Sequence, residues 1–274
     1  MSTTPAGTLR RVEYHMSTAV TLGALGIDDA GADEFFDRIR RLEALLTRFR
    51  PDSEISRIAA GDLSFDRADP AVRQVLTRCE ALRLLTRGDF EYEPRRRTGR
   101  PEDPVLDVNA LAKGWIIEEA ATVLRLSGGE FFVNAGGDVL ATRRHSTDRP
   151  WRIGIQHPTD RSAVLGVFEI ASGAVATSGA YERGHHIRST TGTGSPLTSV
   201  SVVGPDLGEA DALSTAVYAS GESPPDWWID VDPAYGVLTL DESDRLRWFA
   251  PRAPSTVAWQ WPERPSPNDG DQGR

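Results

Sequence analysis

The chain has 274 residues, of which 39% are hydrophobic and 26% charged, a composition typical of a folded globular protein rather than a disordered one. Its formal charge of −9 creates no positive field that would attract nucleic acid or an anionic membrane surface, so neither is an expected partner. Cys79 is the single cysteine, which excludes an intramolecular disulfide and a multi-thiolate zinc site.

The first residues contain no apolar stretch of signal-peptide length, and no later segment reaches the apolar length of a transmembrane helix. We therefore expect a cytoplasmic protein. We expect residues 1–10 to be flexible and residues 11–251 to form one domain. Residues 252–274 are rich in Pro, Ser, Asp and Gly, so we expect a disordered tail in which only Trp259 and Trp261 dock locally.

The first half of the domain is predicted to be mainly helical after one strand. Residues 11–25 are typical of a strand. Apolar side chains at helical intervals predict helices over 31–49, 70–87 and about 111–127. Cys79 lies in the second of these helices, where a small buried hydrophobe is a better interpretation than a nucleophile.

The second half is predicted to be mainly strands, with one helix over about 209–220. The β-like runs are 130–135, 151–156, 164–170, 174–178, 197–204, 227–232, 236–240 and 246–249. Helices first and mostly consecutive strands later predict an α+β fold, a single mixed sheet-and-helix domain, rather than an alternating doubly wound sheet. The sequence has no dinucleotide fingerprint and no Walker loop.

The stretch LDVNALAKGW, residues 106–115, places Asp107 and Lys113 around the expected start of the third helix. Free N–H groups at a helix start, together with a lysine ammonium, suit phosphate oxygens. The alternative is a capping acid and an exposed helix lysine, which is the commoner arrangement for such a stretch alone. The stretch by itself therefore does not decide between the two.

Two further stretches place glycines after strands. VNAGGDV contains Gly136 and Gly137, and VATSGAYERG contains Ser178 and Gly179. A backbone without a Cβ can approach a ligand closely, or it can simply make a tight turn, which is the commoner outcome.

Oxygen-bearing and imidazole side chains also form patterns. Asp211, Ser214 and Thr215 are spaced i, i+3 and i+4, so they share one helical face, and such oxygens suit Mg²⁺. Asp211 alone is more often a first-turn acid favoured by the helix dipole than a metal ligand. The adjacent His185 and His186 point to opposite sides if extended, so one of them is a candidate general base; the alternative is two loop histidines.

Together and in order, these motifs resemble the FAD:protein FMN transferase (ApbE) family. The stretches that carry the resemblance are HMST (15–18), DSEISRI (52–58), DVNALAKG (107–114), NAGGD (134–138), TSGAYERG (177–184), HHI (185–187) with TGSP (193–196), and ADALSTA (210–216). The resemblance implies an ApbE-like, T-fold-related α+β domain. It also implies Mg²⁺-dependent transfer of FMN from FAD to a threonine or serine hydroxyl of an acceptor protein, with release of AMP.

The resemblance further implies roles for individual residues. Mg²⁺ would be held by the carbonyl of Ala110 and by Asp211, Ser214 and Thr215. The base would be His186, with His185 as the second choice. The expected FAD contacts are Met16, Phe49, Asp107, Lys113, Gly136, Gly137, Ser178, Gly179 and Ile187. On this interpretation a magnesium-bridged diphosphate lies between the beginnings of two helices.

The sequence departs from the family pattern at Ser17, where members usually carry Gly, and at Ser214, where they often carry a second acid. One carboxylate and a hydroxyl neutralise less charge than two carboxylates, so we expect a weaker metal site. Two alternative functions stay open: a protein that binds FAD without transferring FMN, and an FAD pyrophosphatase in which water replaces the acceptor hydroxyl.

Overall fold

The structure is a computed structural model that describes residues 8–101, 105–143, 149–179, 196–253 and 257–261. Its strands are β1 (Thr8–His15), β2 (Thr18–Leu25), β3 (Glu130–Ala135), β4 (Asp138–Thr142), β5 (Trp151–Gln156), β6 (Val164–Ile170), β7 (Ser172–Gly179), β8 (Leu197–Gly204), β9 (Gly236–Asp241), β10 (Leu246–Phe249) and β11 (Val257–Gln260). Its α-helices are α1 (Asp29–Leu46), α2 (Glu54–Ala60), α3 (Pro70–Leu85), α4 (Pro94–Thr98), α5 (Asn109–Leu126) and α6 (Leu207–Ser220), and short 3-10 helices lie at Phe65–Arg67 and Asp226–Asp230.

The strands form two antiparallel sheets. The large sheet has eight strands in the order β1-β2-β3-β4-β7-β8-β9-β10, and the small sheet has three in the order β11-β6-β5. The helices cover one face of the large sheet, and the small sheet packs on the other face. This layered arrangement agrees with the predicted α+β fold.

Helix α5 is the centre of the helical layer. It packs between α1 and α6 and against the large sheet, so residues on almost every side of it are buried, including Leu111, Trp115 and Ile117. Helix α1 instead buries one stripe, with Phe35 and Ile39 facing the core. A helix that is apolar all round must lie inside the protein, whereas an amphipathic one lies at its surface.

The predicted helices are confirmed as α1, α3, α5 and α6, with ends displaced by up to three residues. Cys79 is a fully buried side chain of α3, and burial raises the pKa of its thiol, as expected for a structural cysteine. Among the residues described, none of the helices is both long enough and apolar enough to cross a bilayer.

Residues 11–25 form a hairpin, not the single strand that their pattern predicts. The chain reverses at Met16 and Ser17, whose φ angles are 50° and 61°. Two-residue hairpin turns need positive φ angles, which Gly and Asn adopt most easily. The sequence has neither at this turn, so the usual signal for a reversal is missing.

Two other stretches also differ from their predicted structure. Residues 226–230, which overlap the run 227–232 predicted as a strand, form a 3-10 helix in which the consecutive Trp227 and Trp228 are both buried. The expected disordered tail contains β11, which pairs with β6 and packs Trp259 on Phe168 at a ring-centroid distance of 4.6 Å. Docking of this tryptophan gives these tail residues a place in the hydrophobic core between the large and small sheets, which we call the second core.

Candidate functional site

A buried charge cluster joins α5, α6 and β4. Lys113, Asp138 and Asp211 are 7%, 0% and 4% exposed. The Lys113 ammonium forms an ion pair with Asp138 Oδ2 and lies 3.6 Å from Asp211 Oδ2. Asp138 Oδ1 accepts a hydrogen bond from the N–H of Thr177 at 3.1 Å. Lys113 is therefore not the exposed helix lysine of the alternative interpretation.

Three hydroxyl groups lie together between β7 and α6. Ser178 Oγ is 2.9 Å from Ser214 Oγ and 3.2 Å from Thr215 Oγ1. Ser214 Oγ also donates a hydrogen bond to the backbone carbonyl of Asp211 at 2.9 Å. The structure thus brings three predicted metal ligands together and adds Ser178, which the sequence assigns to FAD.

The donor atoms of this site are oxygens. Within the described ranges, no group of three or more His, Cys, Asp or Glu side chains is arranged to hold a metal. Carboxylate and hydroxyl oxygens suit a hard cation such as Mg²⁺, and the described residues of this cluster include no histidine or cysteine ligand of the kind that zinc prefers. The chemistry of Asp211, Ser214 and Thr215 therefore fits the expected metal.

Two glycines allow α5 and α6 to approach closely. A Cβ on Gly114 would lie 2.5 Å from the carbonyl oxygen of Leu207, and a Cβ on Gly208 would lie 2.9 Å from the backbone nitrogen of Trp115. Any larger residue at either position would push the helices apart. This close approach sets Lys113 beside Asp211.

The beginning of α6 does not face the charge cluster. Its first N–H, on Leu207, donates to Glu118 Oε1 at 3.1 Å, and the N–H of Glu209 donates to Asp206 Oδ1 at 2.7 Å. Glu118 lies in the middle of α5, where burial raises the pKa of its carboxyl group. The expectation that two helix beginnings enclose a diphosphate is therefore wrong for α6, which brings its second and third turns to the site.

The beginning of α5 lies beside a different group of side chains. Helix α5 starts at Asn109, whose N–H donates to Asp107 Oδ1 at 3.2 Å, and Asp107 Oδ2 lies 3.2 Å from Arg48 Nε. The Arg48 guanidinium stacks 4.3 Å from the ring centre of Phe49, which is 69% exposed. Asp107, one residue before the N-cap Val108, thus accepts the N–H of the first helical residue, and Arg48 connects it to Phe49.

Met16 lies in the β1–β2 turn, which is tied to the end of α1. Its N–H donates to Glu43 Oε1 at 2.8 Å, and α1 leads directly to Arg48 and Phe49. A Cβ on Gly136 would lie 2.6 Å from the Thr18 hydroxyl, so the β3–β4 turn lies beside the β1–β2 turn. The turns that carry the predicted FAD contacts Met16 and Gly136 therefore lie side by side, at one end of the first strands of the large sheet.

Gly136 and Gly137 form the turn between β3 and β4, with φ angles of 64° and 99°. The N–H of Gly137 donates to Asn134 Oδ1 at 3.0 Å, so a tight turn accounts for both glycines. They also line a cleft of about 560 Å³ between the two sheets, with Phe132, Trp151 and Thr177. This cleft is on the opposite face of the large sheet from Lys113.

The remaining predicted site residues lie on β7, on α5 or outside the described part of the chain. Gly179 ends β7 and pairs with Ser199, and Ala110 lies in the first turn of α5, one turn before Lys113. His185, His186 and Ile187 lie outside the described residues.

Asp138 and Arg48 contact predicted site residues but are not themselves indicated by the sequence motifs as ligands. A signal for Asp138 does exist, since it is an acid inside the apolar run VNAGGDVLA, and charged residues are rarely buried without a partner. Arg48 carries no such signal, because it follows a helix in an exposed polar segment like many other arginines.

Comparisons with known proteins agree with this arrangement. The sequence model of the ApbE family matches residues 12–93 and 91–234. The FAD:protein FMN transferase of Klebsiella pneumoniae is 29% identical over 133 residues, which are 43% of this chain and 38% of that protein. The FAD:protein FMN transferase of Treponema pallidum is 31% identical over 188 residues, which are 58% of this chain and 51% of that protein. The matched part therefore spans about half or less of these relatives' lengths.

One solved structure illustrates the shared fold. The flavin transferase ApbE from Vibrio cholerae superimposes with a TM-score of 0.73 and 21% sequence identity, over 90% of this chain and 97% of that chain. At this identity the likeness concerns the fold. Because the family match extends over much more than half of the sequence, the chain belongs to the ApbE family.

Proposed function

We propose that this chain is a Mg²⁺-dependent flavin transferase, which moves FMN from FAD to a threonine or serine hydroxyl of an acceptor protein and releases AMP. The observation that carries the proposal is the buried cluster in which Lys113 meets Asp211 while Ser178 meets Ser214 and Thr215. These residues come from three separate sequence motifs. Their convergence is what a phosphate-handling site requires, and relatives in the family are named for flavin transfer.

The reaction is a phosphoryl transfer. The acceptor hydroxyl oxygen bonds to the phosphorus of the FMN half of FAD, the phosphoanhydride bond breaks, and AMP leaves with the electrons of that bond. The hydroxyl proton passes to a base. Such a reaction needs charge neutralisation and alignment of the reacting groups, and little other chemistry from the protein.

The charge of the cluster favours binding of a divalent cation. One ammonium and two carboxylates sum to −1, which by itself repels a diphosphate. We assign Mg²⁺ binding to Asp211, Ser214 and Thr215 and to the Ala110 carbonyl. Mg²⁺ held by these residues would supply positive charge that neutralises the diphosphate. Lys113 adds a second, fixed positive charge in a buried place where water screens it little.

The segment after α1 and the start of α5 are suited to hold the rest of FAD. The exposed Phe49 ring offers an aromatic surface for a planar ring, and the Met16 turn, which is tied to α1 through Glu43, offers an apolar side chain. The Asp107 carboxylate offers oxygens to sugar hydroxyls, and Arg48 and the start of α5 hold it in place. Gly136, Gly137, Ser178 and Gly179 stay proposed FAD contacts from their motifs, as does Ile187.

The base is assigned to His186, with His185 as the alternative, on the sequence motif alone. Replacing His186 with Ala is expected to slow transfer while FAD affinity stays nearly unchanged, because a base acts on the acceptor hydroxyl rather than on FAD. The matched control is His185→Ala. Slow transfer in that control with normal transfer in His186→Ala would move the role to the neighbour, and a large loss of FAD affinity would contradict it.

One incubation separates the transferase from its two alternatives. Purified protein is mixed with FAD and Mg²⁺, with and without candidate acceptor proteins, and the products are analysed by chromatography and by flavin fluorescence on a denaturing gel. AMP with a flavin-labelled partner supports the transferase. AMP with free FMN supports the pyrophosphatase, and bound intact FAD without AMP supports a binding protein. The acceptor protein and the cytoplasmic location stay predictions.

A further inference from the structure

Asp138 is the most deeply buried acid of the charge cluster, and none of the roles proposed above uses it. It is fully buried, its Oδ1 is fixed by the Thr177 N–H, and its Oδ2 pairs with the Lys113 ammonium. It is also the closer of the two carboxylates to that ammonium, since Asp211 lies at 3.6 Å. Lys113 is thus shared unequally between two acids.

The unequal sharing matters because Asp211 is the only carboxylate among the proposed metal ligands. An ammonium that paired fully with Asp211 would compete with a divalent cation for the same oxygens. A second buried acid offers the ammonium another partner and leaves the Asp211 oxygens to the metal. Electrostatic competition of this kind is strong where water is excluded.

We propose that Asp138 is a positioning residue for this site: it retains the Lys113 ammonium so that the Asp211 carboxylate is available to the divalent cation. This inference rests on the metal site of the proposed function. The backbone around Asp138 suits the role, because β4 begins at this residue, directly after the Gly136–Gly137 turn, and pairs with both β3 and β7. Lys113 is equally fixed, since it precedes the glycine that touches α6.

Charge-balanced variants test the proposal. The proteins are the wild type, Asp138→Asn, Lys113→Met and the double variant, in which the three cluster positions carry net charges of −1, 0, −2 and −1. Asn at 138 keeps an oxygen that can accept the Thr177 N–H. Binding of Mg²⁺ is measured by calorimetry and binding of Mn²⁺ by electron paramagnetic resonance, both without FAD.

The proposal predicts opposite effects of the two single changes. Asp138→Asn weakens cation binding about tenfold or more, the size typical of residues that support a metal ligand. Lys113→Met tightens binding, and the double variant returns to within about threefold of the wild type. If Lys113→Met does not fold, the comparison of Asp138→Asn with the double variant still decides.

Glu130→Gln is the matched control. Glu130 pairs with Arg143 at the open end of the same β3–β4 hairpin, so this change also removes one paired carboxylate. Cation binding should stay at the wild-type value. Melting curves of all variants separate loss of folding from loss of binding.

Three results would overturn the inference. Unchanged binding in Asp138→Asn would show that the acid does not assist the metal site. A double variant as weak as Asp138→Asn would make Asp138 a direct ligand. No binding to the wild type would overturn the metal site as well. If the four proteins show the predicted pattern of cation binding but the wild type releases no AMP from FAD, the transferase proposal fails and the role of Asp138 stands.

Discussion

Helices α5 and α6 lie side by side, and the sequence predicts the same role for both, but their contributions to the site differ. Helix α5 begins beside Asp107 and reaches the cluster with Lys113. Helix α6 begins against the middle of α5, where Glu118 accepts its first N–H, and reaches the cluster with Asp211 one turn later. The first helix offers its start and a cation, whereas the second offers side-chain oxygens.

The difference teaches what a helical motif can and cannot indicate. Spacing of i, i+3 and i+4 predicts that Asp211, Ser214 and Thr215 share a face, and the structure agrees. It does not indicate whether the helix start is exposed or packed on a neighbour. Function that depends on a helix dipole is therefore expected at α5 only.

The largest expected effect comes from removing a side-chain oxygen ligand of α6. Asp211→Ala should reduce metal-dependent AMP release from FAD by about a hundredfold or more, because the only carboxylate of the proposed metal site is lost. AMP is measured by chromatography at saturating Mg²⁺. Asp232→Ala, an exposed acid outside α6, is the control, and unchanged AMP release in Asp211→Ala would refute the metal assignment.

A second experiment tests the close contact between α5 and α6. A Cβ at position 114 meets the Leu207 backbone, which cannot move aside, so Gly114→Ala should destabilise the fold by about 2 kcal/mol. Urea denaturation measures the free energy of unfolding. Gly31→Ala is the control, since its nearest neighbour is the Ile27 side chain at 3.2 Å, and a smaller change is expected. Equal losses of unfolding free energy in the two variants would show that the close contact between α5 and α6 does not contribute to stability.

A third pair of changes compares the two helix starts directly. Asp206→Ala removes the cap of α6 and should cost about 1–2 kcal/mol of stability with FAD affinity unchanged. Asp107→Ala should cost less stability and weaken FAD binding about tenfold, because a ligand hydrogen bond is lost. Unfolding curves and flavin fluorescence titrations measure both. The reverse pattern would place the ligand-facing start at α6.

The smallest expected effect concerns Glu118, which joins the two helices. Burial raises the pKa of its carboxyl group above the ordinary value of 4.5, so the folded protein holds this proton more tightly than the unfolded chain does. The associated stability is present at low pH and is lost as the pH rises through the raised pKa. The stability of Glu118→Gln relative to the wild type should therefore increase as the pH rises above the ordinary carboxyl pKa of 4.5.

Calorimetric melting at several pH values measures this difference. Glu222→Gln, at a polar surface position after α6, is the control and should show no such trend. A difference between Glu118→Gln and the wild type that stays constant across the pH range would contradict the buried, proton-holding carboxyl group.

Much of the fold follows from local periodicity. The helices α1 and α3 are predictable because their apolar residues repeat at helical intervals, and β8 because β-branched residues fill it. The β1–β2 turn is not predictable, since Met16 and Ser17 carry no turn signal. Strand β4 is equally hidden, because it is buried on both faces and shows no alternation.

The sequence predicts which residues belong to the site better than it predicts how they are arranged. The motifs indicate Lys113 and Asp211 separately, but they do not state which of the 40 acids in the chain neutralises the lysine. That depends on β4 lying beneath α5, a tertiary contact that no local pattern encodes. The contact between Arg48 and Asp107 has the same origin.

The strand β11 has a practical consequence for handling the protein. Its Trp259 fills the space left by Gly166 and covers Phe168, and together with Trp248 these aromatic rings form the outer part of the second core. A shortened chain that stops before Val257 would expose an apolar surface on the small sheet. Poor solubility during purification would then reflect the missing strand rather than a defect of the flavin site.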